Sequence, residues 1–316
     1  MSEYDFGGHV VVVTGAGRGI GRAYALHLAG RGARVVVNDL GGAMDGSGTD
    51  TGPAQQVVDE IVAAGGEAVA NTSDVSTPEG GQAIVDTARD TFGRIDAVVA
   101  NAGIMRWLEL PEADQAFVQS HLDVHLLGSF HVVRAAWPHF VAAGHGRIVT
   151  TTSVGMFGLA GNLAYAAAKS GIIGLTRNFA TQGAAHGIKA NVIAPNAWTR
   201  MAGHPDTSAG VGGTGGVDAA AAAMAQTLDP ALVAPMVGLL AHENCPVTGE
   251  IFAAGAHRFS RLFLGATPGW LSTDAAPSIE DVAAHLDEIA DEKGYLVPQS
   301  LGDFTGTFMA HLRPAE

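Results

Sequence analysis

Four short apolar runs without polar alternation mark the chain, at residues 9–13, 33–37, 97–100 and 147–150. Such runs suit strands buried on both faces, as in a parallel sheet. Segments with helical spacing lie between them, at 21–30, 53–64 and 79–92. This alternation predicts repeated βαβ units and an α/β fold: a single doubly wound parallel sheet with helices on both faces. Further strands are expected at 67–70, 189–194 and 250–253.

Two stretches lack any period. Residues 41–52, rich in Gly, Ser and Asp, read as a long loop after the second strand. Residues 202–218 carry six glycines and no apolar pattern. A loop of that length inside a compact domain is a functional lid or an insert. Its position just after Thr199 favours a segment that orders over substrate, and a solvated insert is the alternative. Residues 1–257 are read as one domain. Residues 258–316 form a C-terminal extension expected to pack on that domain or on a partner subunit. Within the extension Ser278 can cap an amphipathic helix over 278–292, with Ile279, Val282, Ala283, Leu286 and Ile289 on one face.

Composition narrows the class. The chain has 316 residues, 47% hydrophobic and 15% charged, which excludes disorder of the low-hydropathy kind. A net charge of −14 argues against nucleic acid or an anionic membrane as partner. The start carries Glu3 and Asp5 and no apolar run, so no secretory leader is expected. The weakly charged stretch 219–240 is broken by Gln226, Asp229, Pro230 and Pro235, too interrupted for a membrane span. The single cysteine, Cys245, excludes an intrachain disulfide and a cysteine zinc cluster. The histidines, among them His121, His131, His139 and His145, show no metal-ligand spacing, so no metal is expected. A cytoplasmic location follows as the expectation.

The first strand runs into Thr14-Gly15-Ala16-Gly17-Arg18-Gly19-Ile20-Gly21. Here Gly15 permits a tight turn, Gly19 lets backbone approach a pyrophosphate, and Gly21 lets helix pack closely on strand. The following helix N-terminus offers free N–H groups to phosphates. Strand before and helix after are the context such a turn needs, and they mark a Rossmann-like dinucleotide site. Asp39, at the end of the second strand, would accept hydrogen bonds from a free 2′-hydroxyl and repel a 2′-phosphate. Arg18 is a weaker counter-signal. NAD is favoured over NADP.

The spacing Thr-Gly-x-x-x-Gly-x-Gly resembles the short-chain dehydrogenase/reductase family. So do Asn101-Ala102-Gly103 after the fourth strand, Ser153 after the fifth, and the pair Tyr165-x-x-x-Lys169. A nearer resemblance is to the (3R)-hydroxyacyl-CoA dehydrogenase part of the type 2 peroxisomal multifunctional enzymes, which also oxidises 17β-hydroxysteroids. It rests on residues 36–42, 124–130, 134–137, 193–197 and 233–235, and it fades in the tail. The hydratase and sterol-carrier modules of those relatives are missing, so a stand-alone enzyme is expected.

The resemblance implies roles. Tyr165 would be the general base and acid. Four residues on, Lys169 shares its helix face, and its ammonium would lower the phenol's ordinary pKa of about 10. Ser153 would hold the substrate oxygen. It lies 12 residues before Tyr165 where the family usually has 13, so Thr152 remains an alternative donor. His125 stands where the family commonly has Asn, in a distorted helix turn. It either supports the same distortion or simply packs. For the cofactor, the implied contacts are the glycine turn with Gly15, Gly17, Arg18, Gly19 and Ile20, then Asp39 and Leu40 near the ribose. Asp74 and Val75 would meet adenine, and Asn101, Ala102 and Gly103 would line the adenine-ribose side. Tyr165 and Lys169 would reach the nicotinamide ribose; Ile193, Pro195 and Thr199 would flank the carboxamide. Pro195-Asn196 replaces the usual Pro-Gly.

The expected activity is NAD-dependent oxidation of a secondary alcohol, foremost a (3R)-hydroxyacyl-CoA, in a homodimer or homotetramer. A 17β-hydroxysteroid or sterol side-chain CoA ester is the same-class alternative. Arg106 would meet the polar part of a CoA ester or lie solvated at the surface. An NAD-binding sensor without catalysis is the different-class alternative, disfavoured because Tyr165 and Lys169 are both present.

Overall fold

The computed structural model describes residues 4–199 and 227–312. Segment 202–218 lies outside them. Eight strands form one sheet in the order β3-β2-β1-β4-β5-β6-β7-β8. They are β1 Val10–Thr14, β2 Arg34–Asn38, β3 Glu67–Asn71, β4 Ala97–Ala100, β5 Gly146–Thr151, β6 Ile188–Pro195, β7 Ile251–Gly255 and β8 Arg258–Leu262. Every pairing from β3 through β7 is parallel.

The apolar runs lack alternation because both faces of each strand are covered. Val11 and Val13 pack with Tyr24, Leu28, Val57 and Leu240 on one side. Val10 and Val12 pack with Ile84, Val132 and Phe140 on the other. The helices supplying these layers are α1 Gly19–Ala29, α2 Gly52–Ala63, α3 Pro78–Phe92, α4 Gln115–His121, α5 Gly128–Ala143, α6 Leu163–Gly183 and α7 Ala234–Ala241. Between α4 and α5 the helix widens into a π-turn, Leu122–Leu127. Strand order reverses between β1 and β4, so a crevice opens beyond the carboxyl ends of these strands.

β8 is an addition to the sequence-based picture. Ala256 and His257 both hold positive φ, 48° and 58°, and turn the chain back after β7. The strand itself, Arg-Phe-Ser-Arg-Leu, is largely exposed and charged, the composition of a protected sheet edge.

The chain divides into two compact units, Met1–Arg261 and Leu262–Glu316. In the second, Ser278 does cap a helix, through a capping box with Asp281. The expected long helix is instead two short ones, α8 Ile279–Ala284 and α9 Leu286–Ala290, followed by α10 Leu301–Phe308. The ring of His285, at the break, stacks on Trp270 at 4.0 Å. The proposed apolar face is open to solvent: Ile279 is 84% exposed and Leu286 59%.

Candidate active site

The turn between β1 and α1 depends on its glycines. Gly15 and Gly19 have φ of 62° and 53°, which side-chain-bearing residues rarely adopt. A Cβ on Gly21 would lie 2.1 Å from the Gly15 carbonyl oxygen, so α1 starts flush against its strand. The helix has no side-chain cap and no acidic residue in its first turn. Its leading amides and positive pole are left for an anionic ligand. This turn borders a cleft of about 440 Å³.

The cleft gathers Gly15, Arg18, Gly19, Ile20, Asp39, Leu40, Asp74, Val75, Asn101, Ala102, Gly103 and Thr199. Asp39 is fixed by two amides: Gly17 N–H donates to Oδ2 at 2.8 Å and Gly41 N–H to Oδ1 at 2.7 Å. Arg18 turns to the loop after β2, donating to the Gly42 carbonyl at 3.3 Å, with Asp50 4.0 Å away. The Thr14 hydroxyl ties the end of β1 to the segment after β4, accepting from the amides of Asn101 and Ala102 at 3.0 and 3.1 Å. Pro195 ends β6 and Gly17 backs Asp39; neither lines the cleft.

Ser153, Tyr165 and Lys169 converge where β5 meets α6, outside the residues lining the cleft. Asn162 caps α6, its Oδ1 accepting from Tyr165 N–H at 3.1 Å. That cap sets Tyr165 in the first turn, one helical turn before Lys169. Tyr165 is 9% exposed and Lys169 3%. The Lys169 ammonium nitrogen lies 5.7 Å from the centre of the Tyr165 ring and donates to the Thr151 carbonyl at 2.7 Å. The Ser153 hydroxyl accepts from Gly155 N–H at 3.1 Å and is the neighbour that pulls the Tyr165 phenol pKa down. Thr152 is spent elsewhere: its hydroxyl donates to the Lys169 carbonyl at 2.6 Å.

The electrostatics differ from the sequence-based expectation. Burial dominates, raising the Tyr165 phenol above its ordinary value, with the Ser153 hydrogen bond opposing. Burial likewise lowers Lys169 to about 7. A lowered phenol therefore does not arise from Lys169 alone. Either charge by itself is penalised here, whereas phenolate and ammonium together are a neutral pair.

His125 lies inside the π-turn, 1% exposed. Its Nε2–H donates to the Ile104 carbonyl at 2.9 Å, and its ring meets the Tyr165 ring edge-to-face at 5.2 Å. Desolvation first, then Lys169, holds its pKa well below the ordinary value, so the imidazole is neutral. Its own carbonyl accepts from the Ser129 hydroxyl at 2.7 Å.

Ile193 does not fit its expected place at the carboxamide. It is fully buried in the middle of β6, and its carbonyl accepts from Thr152 N–H at 2.8 Å. Its sheet pairing to both neighbours occupies the backbone groups such a contact needs. Arg106 is exposed, its guanidinium over Phe117 at 5.7 Å and 3.3 Å from the Ser120 hydroxyl.

Several cleft residues escaped the sequence reading. Met44, Asp45 and Gly46 come from the loop after β2, whose composition signalled only irregularity. Ile104 and Val124 also line it, Ile104 directly beside Gly46. Asn162 had a usable signal, since an Asn three residues before Tyr165 opens the helix as a cap. Among the described residues no group of three or more His, Cys, Asp or Glu could hold a metal ion, and no helix is long and apolar enough to cross a membrane.

A short-chain type dehydrogenase/reductase of Mycobacterium tuberculosis is 43% identical, over 90% of this chain and 95% of its own. Peroxisomal multifunctional enzyme type 2 of Mus musculus is 41% identical over 96% of this chain, which spans 40% of that protein's length. Carveol dehydrogenase from Mycobacterium avium, solved in complex with NAD, superposes with a TM-score of 0.70 at 29% identity, covering 78% of this chain and 96% of that one. The family profile described as short chain dehydrogenase matches residues 9–204, and the chain is a member of that oxidoreductase family.

Proposed function

We propose that this enzyme oxidises a (3R)-hydroxyacyl-CoA to the 3-oxoacyl-CoA with NAD. One observation carries the reading: Ser153 stands with the buried Tyr165 and Lys169 where β5 meets α6, and the neighbouring cleft presents the fixed carboxylate of Asp39.

The cleft fits NAD on this chain's own geometry. The glycine cradle leaves α1 amides for a pyrophosphate, and Asp39 stands where a ribose hydroxyl would donate. A 2′-phosphate there would meet a carboxylate, and Arg18 is already turned to Gly42 and Asp50. Asp74 and Val75 would hold adenine, and Thr199 the carboxamide end. When bound, NAD supplies the hydride acceptor.

The protein supplies orientation and proton transfer. Ser153 donates to the substrate oxygen and aims the hydroxyl at Tyr165. Tyr165 takes the hydroxyl proton as the carbinol hydrogen leaves. Lys169, buried beside the ring, stabilises the phenolate that must precede this step, because the pair carries no net charge.

The acyl-CoA assignment draws on the motif resemblance to the dehydrogenase part of the multifunctional enzymes. Phe157, 71% exposed in the turn after Ser153, offers an apolar contact for a long chain. It would serve a steroid ring system equally, which is the second reading. The resemblance also supports a homodimer or homotetramer. A reducing compartment suits the single buried thiol of Cys245. Reduction of NAD should be followed with (3R)- and (3S)-hydroxyacyl-CoA of several lengths and with a 17β-hydroxysteroid. Turnover of the (3R) thioesters alone is expected; a higher kcat/KM for the steroid would transfer the assignment to it.

A further inference from the structure

The segment Ile104–Arg106 follows Asn101-Ala102-Gly103 and lies in neither helix nor strand. Ile104 and Met105 are nonetheless buried, at 8% and 7% exposure. Buried irregular backbone must find partners for its N–H and C=O groups. Here most come from side chains on three other pieces of chain. His125 Nε2 takes the Ile104 carbonyl. His121 Nε2 accepts from Arg106 N–H at 3.4 Å, while its Nδ1–H donates to the Phe117 carbonyl at 3.0 Å. Asn162 Nδ2 donates to the Arg106 carbonyl at 2.7 Å.

All three side chains lead to Tyr165. Asn162 accepts from Tyr165 N–H with its other amide atom. The His125 ring stands edge-to-face against the phenol, and the His121 ring stacks on His125 at 6.0 Å and 12°. Both histidines have no more than 1% exposure and Asn162 has none. Such constraint exceeds what capping one helix requires, since a serine would satisfy the cap without reaching Arg106.

We propose that Asn162, His121 and His125 form a positioning clamp that fixes the Ile104–Arg106 wall against the ring of Tyr165. The clamp rests on the reading of Tyr165 as the base. None of the three touches the reacting atoms; they hold the distance between the general base and the wall beside it. A small displacement there costs rate rather than cofactor affinity.

Asn162→Ser keeps the cap and cuts the tie to Arg106. His121→Leu removes the acceptor for Arg106 N–H, and His121→Gln restores it. The measurements are kcat per NAD-binding site, NAD affinity, and amide exchange at residues 104 and 106. For Asn162→Ser and His121→Leu the expected result is faster exchange, NAD affinity close to that of the unaltered enzyme, and kcat per site lower by about tenfold. His121→Gln should recover most of that loss. If both variants lose melting temperature but keep kcat per site, the residues are merely structural and the clamp is wrong. Unchanged exchange at 104 and 106 overturns it equally. No turnover of any secondary alcohol by the unaltered, NAD-binding protein would count against the dehydrogenase reading instead, and exchange alone would then decide the clamp.

Discussion

Thr152 and Lys169 are joined through the backbone: the threonine hydroxyl donates to the lysine carbonyl at 2.6 Å. The bond commits Thr152 to holding β5 against α6 and leaves Ser153, the next residue, to face Tyr165. Opposite outcomes follow for two adjacent hydroxyls. Ser153→Ala should lower kcat/KM by about 10²-fold or more with stability nearly unchanged, as for loss of a group that orients the reacting oxygen. Thr152→Val should retain most activity but cost about 0.5–1.5 kcal/mol, because the hydrogen bond tying β5 to α6 is lost while the Lys169 carbonyl keeps its helical partner. Steady-state kinetics with chemical denaturation of both variants separates the two. A larger kinetic loss for Thr152→Val would reverse the assignment.

Cofactor choice should be decided by Asp39. Its carboxylate is fixed by Gly17 and Gly41, so it cannot swing away from a 2′-phosphate. Asp39→Ala should weaken NAD and narrow the preference for NAD over NADP by about tenfold or more. Gly17→Ala should act in the same direction on NAD, since its Cβ would lie 2.8 Å from Asp39 Oδ2 and from the Pro53 side chain. Titration of both dinucleotides checks this. An unchanged ratio in Asp39→Ala would show that the carboxylate does not face the 2′ position.

Burial of Lys169 has a consequence for stability. Its folded pKa of about 7 lies below the unfolded value of about 10.4. The unfolded chain therefore binds more protons between these values, and this residue's contribution makes stability rise with pH across that window. Below about 7 its full penalty is present; above the unfolded value it is gone. Lys169→Met should flatten the rise. Denaturant unfolding at pH 7 to 10, without cofactor, measures the difference between the two proteins. An identical pH slope would mean that Lys169 is charged in the folded state.

Much of this architecture is legible along the chain because the information is local. Strands buried on both faces read as unbroken valine runs, and the glycine turn reads as a phosphate cradle because φ and close approach leave no other residue. Four features were hidden for physical reasons. β8 is a charged, exposed edge with no apolar period. The break in the tail helix falls at His285, whose ring stacks on Trp270, fifteen residues earlier in the chain and off any helical period. The ties of Arg106 reach His121 and Asn162, 15 and 56 positions away, and no periodicity encodes them. The direction of the Tyr165 shift is hidden because sequence shows the neighbouring ammonium but not the burial that raises the phenol.

The most direct measurement is NADH formation from a (3R)-hydroxyacyl-CoA by the unaltered enzyme and by Tyr165→Phe, together with the NAD affinity of each. Removing only the acid–base hydroxyl should lower turnover by about 10²–10⁴-fold and leave NAD binding essentially intact. Retention of a tenth or more of the unaltered turnover by Tyr165→Phe would contradict its role as the general base.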